Sequence, residues 1–128
     1  MIAAGIFDRY PNLKVVVGHL GEALPFWMKR IDFMHGASVA SGRTGTRRLD
    51  REPSEYFQSN IYITTSGMPW EDAIMYCLKV LGAERVMYAM DYPYQYMADE
   101  VREQDNLPIS LHDKKKFFQT NAEEVFNL

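Results

Sequence analysis

Three short apolar runs, each bounded by turn-forming residues, predict three strands in this chain. The first run, Lys14 to Val17, lies between Tyr10-Pro11-Asn12 and Gly18, and such boundaries are typical of a strand. The runs Ile61 to Thr65 and Arg85 to Met90 predict two further strands on the same grounds.

Between these runs the apolar residues recur at helical spacing. From Leu24 the spacing predicts an amphipathic helix that ends near Gly36, followed by a loop over residues 36–52. Gly82 follows another helix and is expected to adopt the left-handed conformation that ends it. The remaining helices are predicted to open at Pro53, to run from about Trp70 to Leu81, to cover Ala98 to Gln104, and to start at Ser110 as an N-cap.

Strands that are apolar nearly throughout and alternate with helices indicate an α/β fold with a parallel sheet. Right-handed crossovers place the carboxyl ends of all such strands at one edge of the sheet. That edge is where α/β proteins position their chemistry. At 128 residues we expect one domain, residues 1–128.

Composition narrows the class of protein. Hydrophobic residues make up 47% and charged residues 24%, which favours an ordered globular chain. A net charge of −3 gives no reason to expect nucleic acid as a partner, and no run approaches the roughly 18 apolar residues of a membrane span. The single cysteine, Cys77, is interpreted as a core residue. We therefore expect a cytoplasmic protein that binds neither nucleic acid nor membranes.

Basic side chains cluster in the predicted loop and predict a solvent-exposed face or, as the alternative, a face that meets an acidic partner surface. They are Arg43, Arg47, Arg48 and Arg51.

Three polar side chains follow the three predicted strands at equivalent points. They are His19, Ser66 and Asp91, and the common edge of the sheet should bring them together. An imidazole, a hydroxyl and a carboxylate can form a metal site or an acid–base site. Glu22 lies three residues after His19 and can accept a hydrogen bond from its ring, which would raise the basicity of the other ring nitrogen.

Structural roles for these residues stay open. His19 could bond to a neighbouring carbonyl, Asp91 could cap the turn that follows it, and Ser66 could be the N-cap of the next helix. The coincidence of His19 with Asp91 favours a functional role for both. His35 and His112 have no such context, and we interpret them as structural or solvent-facing.

Four segments of the chain resemble the metal-dependent decarboxylases of the amidohydrolase-related superfamily. They are "GIFDRYPNLKVVVGHLGEALPFWMKRID", "PSEYFQSNIYITTSG", "RVMYAMDYPY" and "NAEEVFNL". The resemblance is greatest to the hydroxybenzoate decarboxylases, including the γ-resorcylate and 2,3-dihydroxybenzoate decarboxylases. Members of this family are (β/α)₈ barrels with one divalent metal, so the resemblance implies a partial TIM barrel: the last three βα units with parallel strands and a C-terminal helix.

The resemblance also implies roles for individual residues. His19 matches a catalytic or substrate-contacting histidine, and Glu22 matches the carboxylate that partners it. Asp91 matches a metal ligand that is also the proton donor, Tyr94 matches an aromatic position beside the substrate, and Ser66 is assigned to substrate binding. A small aromatic acid would bind the metal, zinc or manganese, through its carboxylate and ortho hydroxyl. A protonated Asp91 would then protonate the ring carbon before carbon dioxide leaves.

The chain departs from the family in its metal ligands. The family's paired ligands on the first strand and its histidine on the fifth have no counterpart here, whereas zinc needs three or four ligands. A complete barrel takes about 250 residues. We therefore expect the C-terminal part of a decarboxylase, inactive by itself. Two alternatives are a metal-dependent hydrolase of lactones, esters or amides, in which Asp91 would activate a metal-bound water, and an inert remnant that oligomerises.

A three-stranded sheet taken from a barrel exposes two strand edges and an apolar face. We predict that the chain covers them by forming a homo-oligomer. Light scattering at micromolar concentration measures the mass directly, and a single species with the mass of a monomer would contradict this prediction.

Overall fold

The computed structural model describes residues 1–42 and 44–128. Arg43, part of the predicted loop and of the basic cluster, lies outside the described residues. The chain forms two compact units: one contains Met1–Val15 and Phe26–Ile61, and the other contains Val16–Pro25 and Tyr62–Leu128. His19, Ser66 and Asp91 all belong to the second unit.

Strands and helices alternate along the described residues, as predicted for an α/β fold. In chain order they are α1 (Ile6–Arg9), β1 (Val15–Val17), α2 (His19–Glu22), α3 (Leu24–Ser41), α4 (Pro53–Asn60), β2 (Ile61–Thr64), α5 (Glu71–Leu81), β3 (Val86–Met87), α6 (Glu100–Asp105), α7 (Leu111–Lys115) and α8 (Asn121–Phe126). A π-helical turn, Lys116–Thr120, joins α7 to α8. No helix within these described ranges is long and apolar enough to cross a membrane.

The three strands form one sheet in the order β1-β2-β3. β2 and β3 run parallel, with Ile63 opposite Val86 and Thr64 opposite Met87. Because each strand returns through a helix to run beside the previous one, the loops after the strands lie at the same edge of the sheet. This edge carries the segments that begin at His19, Ser66 and Asp91.

The core of the second unit lies between the sheet and its helices. Ile63, Val86 and the α5 residue Ile74 are fully buried. Cys77 is buried on the same face of α5, where burial raises the pKa of its thiol to about 11, so its interpretation as a core residue is confirmed. Asn121 of α8 donates from Nδ2 to the carbonyl oxygen of Val86 at 2.9 Å, which ties the C-terminal helix to β3.

In the first unit, α4 is held by its cap and by its last residue. Glu52 and Glu55 form a capping box, which satisfies donors at the helix N-terminus. Asn60 donates from Nδ2 to the carbonyl oxygens of Pro11 at 2.7 Å and Leu13 at 3.0 Å. These bonds hold the turn that precedes β1.

The prediction that the α3 helix ends near Gly36 is wrong, since the helix continues to Ser41. Glycine weakens a helix but does not end it, and residues 37–41 contain no proline. The first residue after the helix is Gly42, whose φ of +63° is the left-handed conformation typical of a helix end. The predicted loop therefore starts six residues later than expected.

The predicted third strand, Arg85 to Met90, is also too long, because β3 contains Val86 and Met87 alone. Tyr88 donates its backbone N–H to the carbonyl oxygen of Phe117 at 2.9 Å and so leaves the sheet. Smaller differences are that β1 starts at Val15, β2 ends at Thr64, and the helix predicted over Ala98 to Gln104 covers Glu100–Asp105.

Two predicted helix ends have different outcomes. Ser110 is an N-cap as expected, since its Oγ accepts the N–H of Asp113 at 3.0 Å. Gly82 ends α5 with a positive φ of 89°, but its ψ of 155° is extended rather than left-handed helical.

Candidate active site

The segment α2, together with Ala23, is a left-handed turn and not a right-handed α-helix, because five consecutive residues have positive φ. The φ angles are 49° at His19, 51° at Leu20, 75° at Gly21, 52° at Glu22 and 61° at Ala23. Left-handed backbone costs roughly 1–2 kcal/mol for each residue other than glycine, so local contacts must hold this turn. Leu20 buries its side chain, and Gly21 donates its N–H to the carbonyl oxygen of Gly18 at 2.8 Å.

The turn places Glu22 beside His19, as the spacing predicted. His19 Nδ1 lies 2.9 Å from Glu22 Oε1, and the side chains are 48% and 67% exposed. When Nδ1–H donates a hydrogen bond to Glu22, Nε2 of the neutral imidazole carries the free lone pair. The pair therefore fixes which ring nitrogen can act on a ligand.

Ser66 and Asp91, at the ends of the next two strands, contact each other. Ser66 donates from Oγ to Asp91 Oδ1 at 2.9 Å. Asp91 itself has a φ of +68°, so its backbone is also left-handed. The hydrogen bond orients the carboxylate and leaves Oδ2 as its other reactive oxygen.

Gly67 is the point where the histidine and the aspartate meet. A β-carbon built on Gly67 would lie 3.0 Å from His19 Cδ2, 3.5 Å from His19 Nε2 and 3.3 Å from Asp91 Oδ2. At such distances a side chain would require His19 and Asp91 to move by a few tenths of an ångström. The imidazole and the carboxylate thus share a hollow that exists because residue 67 is glycine.

The loop after Asp91 is closed by backbone bonds. Tyr94 and Gln95 donate their N–H groups to the Asp91 carbonyl oxygen at 2.9 and 3.1 Å. Gln95 also donates from Nε2 to the carbonyl oxygen of Gly67 at 2.9 Å. The Tyr94 side chain is 91% exposed, so its ring is in contact with solvent.

The structure thus brings together four of the five predicted site residues: His19, Glu22, Ser66 and Asp91. The alternative of Ser66 as a helix N-cap is wrong, because α5 begins at Glu71 and has Trp70 as its N-cap.

The other two histidines lie outside this group. His35 Nε2 lies 3.1 Å from the carbonyl oxygen of Arg47, and His112 is exposed. Both placements agree with the structural or solvent-facing roles expected for them.

These residues do not make a complete metal site. Within the described part of the chain, no three His, Cys, Asp or Glu side chains lie together as metal ligands do. The donor set at the hollow is one carboxylate and one imidazole, and Glu22 engages the imidazole from the opposite nitrogen. Since zinc needs three protein ligands or more, a complete site does not fit the described residues.

A buried polar cluster near Asp91 gave no signal in the sequence. Glu100 and Gln104 of α6 are 2% and 1% exposed. Among the described atoms, Glu100 Oε1, the Tyr88 hydroxyl and both amide atoms of Gln104 have no hydrogen-bond partner. A short polar helix normally predicts solvent exposure, so the burial of these side chains depends on tertiary packing.

Burial is the main cause that raises the pKa of Glu100 above its ordinary value. The Tyr88 hydroxyl lies near the Glu100 carboxyl group without making a hydrogen bond to it, and lowers the pKa of Glu100. The negative charges of Glu103 and Asp91 raise the pKa of Glu100. The Asp91 carboxylate therefore lies close enough to the buried Glu100 to raise its pKa.

A family model described as "Amidohydrolase" matches residues 1–128. The chain belongs to the amidohydrolase family. This result confirms the family expected from the sequence segments, and the three parallel strands with their helices fit part of the (β/α)₈ barrel of that family.

Relatives of this amidohydrolase chain include decarboxylases. The γ-resorcylate decarboxylase of a Polaromonas species is 32% identical over 128 residues, which are 100% of this chain and 38% of that protein. The chain thus spans about 38% of the length of the curated relatives that match it throughout.

Solved structures give a similar result. The 5-carboxyvanillate decarboxylase of Novosphingobium aromaticivorans, with bound manganese and 3-methoxy-4-hydroxy-5-nitrobenzoic acid, is 54% identical with a TM-score of 0.95, over 99% of this chain and 37% of that one. The 5-carboxyvanillate decarboxylase of Sphingomonas paucimobilis is 47% identical with a TM-score of 0.93, over 100% of this chain and 38% of that one.

Gly67→Ala should destabilise the protein by closing the hollow. Gly45 is a matched control because its φ is +63° and nothing lies within 4 Å of its β-carbon position, while Gly67 has a φ of +65°. We expect Gly67→Ala to lower the free energy of unfolding by about 1–3 kcal/mol more than Gly45→Ala, which is the cost of overpacking. Urea unfolding followed by circular dichroism measures both, and equal losses would contradict the steric explanation.

Glu100→Gln should stabilise the protein at neutral pH. The folded-state pKa of Glu100 is raised, so protonation of Glu100 stabilises the folded protein. This contribution is complete below the unfolded-state pKa of about 4.3, and it is lost as the pH rises through the folded-state pKa. We expect the variant to be more stable than the parent at pH 7.5, because glutamine carries no charge that burial would penalise, and to show no gain near pH 3.5. Urea unfolding across this pH range measures the difference.

Glu84→Gln is the control of opposite sign. The hydrogen bond from Lys116 lowers the pKa of Glu84, so its contribution is present at neutral pH and is lost as the pH falls through the folded-state pKa. This variant should lose stability at pH 7.5. A Glu100→Gln variant that also loses stability there would show that the buried carboxylate is compensated.

Proposed function

We propose that this chain carries the histidine–aspartate part of the active site of a metal-dependent, non-oxidative decarboxylase of hydroxybenzoate-type acids. The observation that supports this most directly is the hollow above Gly67, where His19 Nε2 and Asp91 Oδ2 lie within 3.5 Å of one point. Decarboxylation of an electron-rich ring needs an acid that delivers a proton to carbon. Asp91 is our candidate for that acid.

The proton transfer can be assigned to atoms of this chain. The Ser66 hydroxyl bonds to Asp91 Oδ1, so we place the transferable proton on Asp91 Oδ2. Its transfer to the ring carbon that bears the carboxylate forms a C–H bond. The bond from that carbon to the carboxylate then breaks, carbon dioxide leaves, its bonding electrons restore the aromatic ring, and Asp91 remains as the carboxylate.

His19 is assigned to the substrate rather than to the proton donor. With Nδ1–H engaged by Glu22 at 2.9 Å, Nε2 can accept a hydrogen bond from a phenolic hydroxyl. Glu22 keeps the imidazole in that tautomer. Ser66 and Tyr94 are assigned to the binding of the substrate, Ser66 from beside Asp91 and Tyr94 from the exposed loop that follows it.

A divalent metal is part of this proposal for the complete enzyme. Manganese is bound in the structure of the Novosphingobium decarboxylase, and Asp91 is the residue of this chain that we assign as a ligand. Further ligands would have to come from outside the hollow, because the described residues form no group of three. Manganese, with zinc as the alternative, is therefore the metal to supply in assays.

The substrate that the comparisons favour is 5-carboxyvanillate. Identity is 54% and 47% to two 5-carboxyvanillate decarboxylases but 32% to the Polaromonas γ-resorcylate decarboxylase. The class is an aromatic acid with a hydroxyl ortho to the carboxylate that leaves. The decarboxylase names of these relatives also favour this reaction over hydrolysis of a lactone, ester or amide.

A graft tests the proposal. The 128-residue chain would replace the matching segment of the Novosphingobium enzyme, and manganese-dependent release of carbon dioxide from 5-carboxyvanillate would be measured. We expect the graft to be active and Asp91→Asn to lower its kcat by about 10²–10⁴-fold, the usual contribution of a general acid. Asp99, which is exposed and pairs with Arg102, supplies the control Asp99→Asn, which should leave kcat unchanged.

The chain by itself should release no carbon dioxide, since the residues that the structure describes form no complete metal site. A folded graft that binds manganese and does not decarboxylate would overturn the proposed function. Activity of the graft that survives Asp91→Asn would overturn the role of Asp91.

A further inference from the structure

We infer that Thr65 is a positioning residue, whose hydroxyl replaces a missing rung of the sheet and thereby sets Asp91 in place beside His19. The effect of Thr65 on catalysis rests on the proposed function, whereas its structural role in placing Asp91 does not. Thr65 directly precedes Ser66, whose hydroxyl bonds to Asp91, and Gly67, whose β-carbon position lies 3.3 Å from Asp91 Oδ2.

Regular pairing between β2 and β3 ends before the site is reached. The last strand pair is Thr64 with Met87, followed by one backbone bond from the Thr65 N–H to the Met87 carbonyl oxygen at 3.0 Å. Tyr88 then turns its N–H toward Phe117. Beyond this bond, the described residues from Tyr88 to Asp91 make no backbone hydrogen bond to β2.

The Thr65 side chain supplies the missing bonds. Its Oγ1 donates to the Ala89 carbonyl oxygen at 3.0 Å and accepts the Ala89 N–H at 3.0 Å. Thr65 is fully buried and Ala89 is half-buried. One hydroxyl thus satisfies both backbone groups of Ala89, two residues before Asp91.

Asp91 needs such support because its own backbone is strained. Its φ of +68° costs roughly 1–2 kcal/mol, and a strained residue persists only where its surroundings hold it. Ser66 holds the carboxylate, whereas Thr65 holds the backbone that delivers it. Loss of the Thr65 hydroxyl would remove the bonds of both backbone groups of the half-buried Ala89 and release this segment.

Three variants separate these effects. Thr65→Val keeps the shape and removes the hydroxyl, and Thr65→Ser keeps the hydroxyl. Thr64→Val makes the same change one residue earlier, at a position outside this contact. Circular dichroism and thermal melting would first establish that each variant is folded.

The first measurement is made on the 128-residue chain by NMR. We expect Thr65→Val to speed hydrogen exchange of the Ala89 amide by at least about tenfold, which is what loss of one buried hydrogen bond produces. The Asp91 amide and His19 ring signals should shift. Thr65→Ser and Thr64→Val should leave exchange and signals near those of the parent.

An Ala89 amide that stays protected in Thr65→Val, or loss of protection in Thr65→Ser, would overturn the inference. The result for Thr65→Ser tests the inference even where Thr65→Val does not fold.

The second measurement uses the active graft. A displaced acid slows the chemical step more than it weakens binding, and a shift of about 1 Å can cost about 10²-fold. Thr65→Val should therefore lower kcat by about 10–10²-fold with KM nearly unchanged, and Thr65→Ser should restore it. A lower melting temperature with unchanged kcat would show that Thr65 is merely structural.

The two proposals fail in different ways. If the unmodified graft releases no carbon dioxide, the proposed function is wrong. Ala89 exchange and the Asp91 and His19 signals in the 128-residue chain still decide whether Thr65 positions Asp91.

Discussion

The site depends on one steric constraint, the absence of a side chain at residue 67. A parallel sheet brings the ends of adjacent strands to one edge, but this alone leaves histidine and aspartate several ångströms apart on separate loops. Because Gly67 has no side chain, His19 and Asp91 can approach the same point, within 3.0 to 3.5 Å of where a β-carbon would lie. The chemistry proposed for this chain requires that approach.

Holding the two groups there strains the backbone. His19 lies in a left-handed turn of five residues, and Asp91 has a positive φ of its own. Polar contacts offset this strain: Glu22 orients the imidazole, Ser66 the carboxylate, and Thr65 the chain before Asp91. Strain concentrated at a few residues and balanced by hydrogen bonds is typical of functional sites.

The site is open to solvent on one side and rests on a polar core on the other. The His19 side chain is 48% exposed, whereas Glu100 of α6 is buried and carries a pKa raised mainly by that burial. This contrast agrees with an arrangement in which the present residues supply one wall of a reaction site. Within the described residues this wall carries a carboxyl group and an imidazole but no group of three metal ligands.

The sequence by itself determined whatever depends on neighbours along the chain. Apolar periodicity predicted the strands and helices, and the polar residues that follow the strands predicted the meeting of His19, Ser66 and Asp91. Tertiary structure decided the short β3, because the Phe117 carbonyl that takes the Tyr88 N–H comes from a distant helix. It also decided the burial of Glu100. These features depend on groups that are far apart in sequence and adjacent in space, so the pattern of residues along the chain does not predict them.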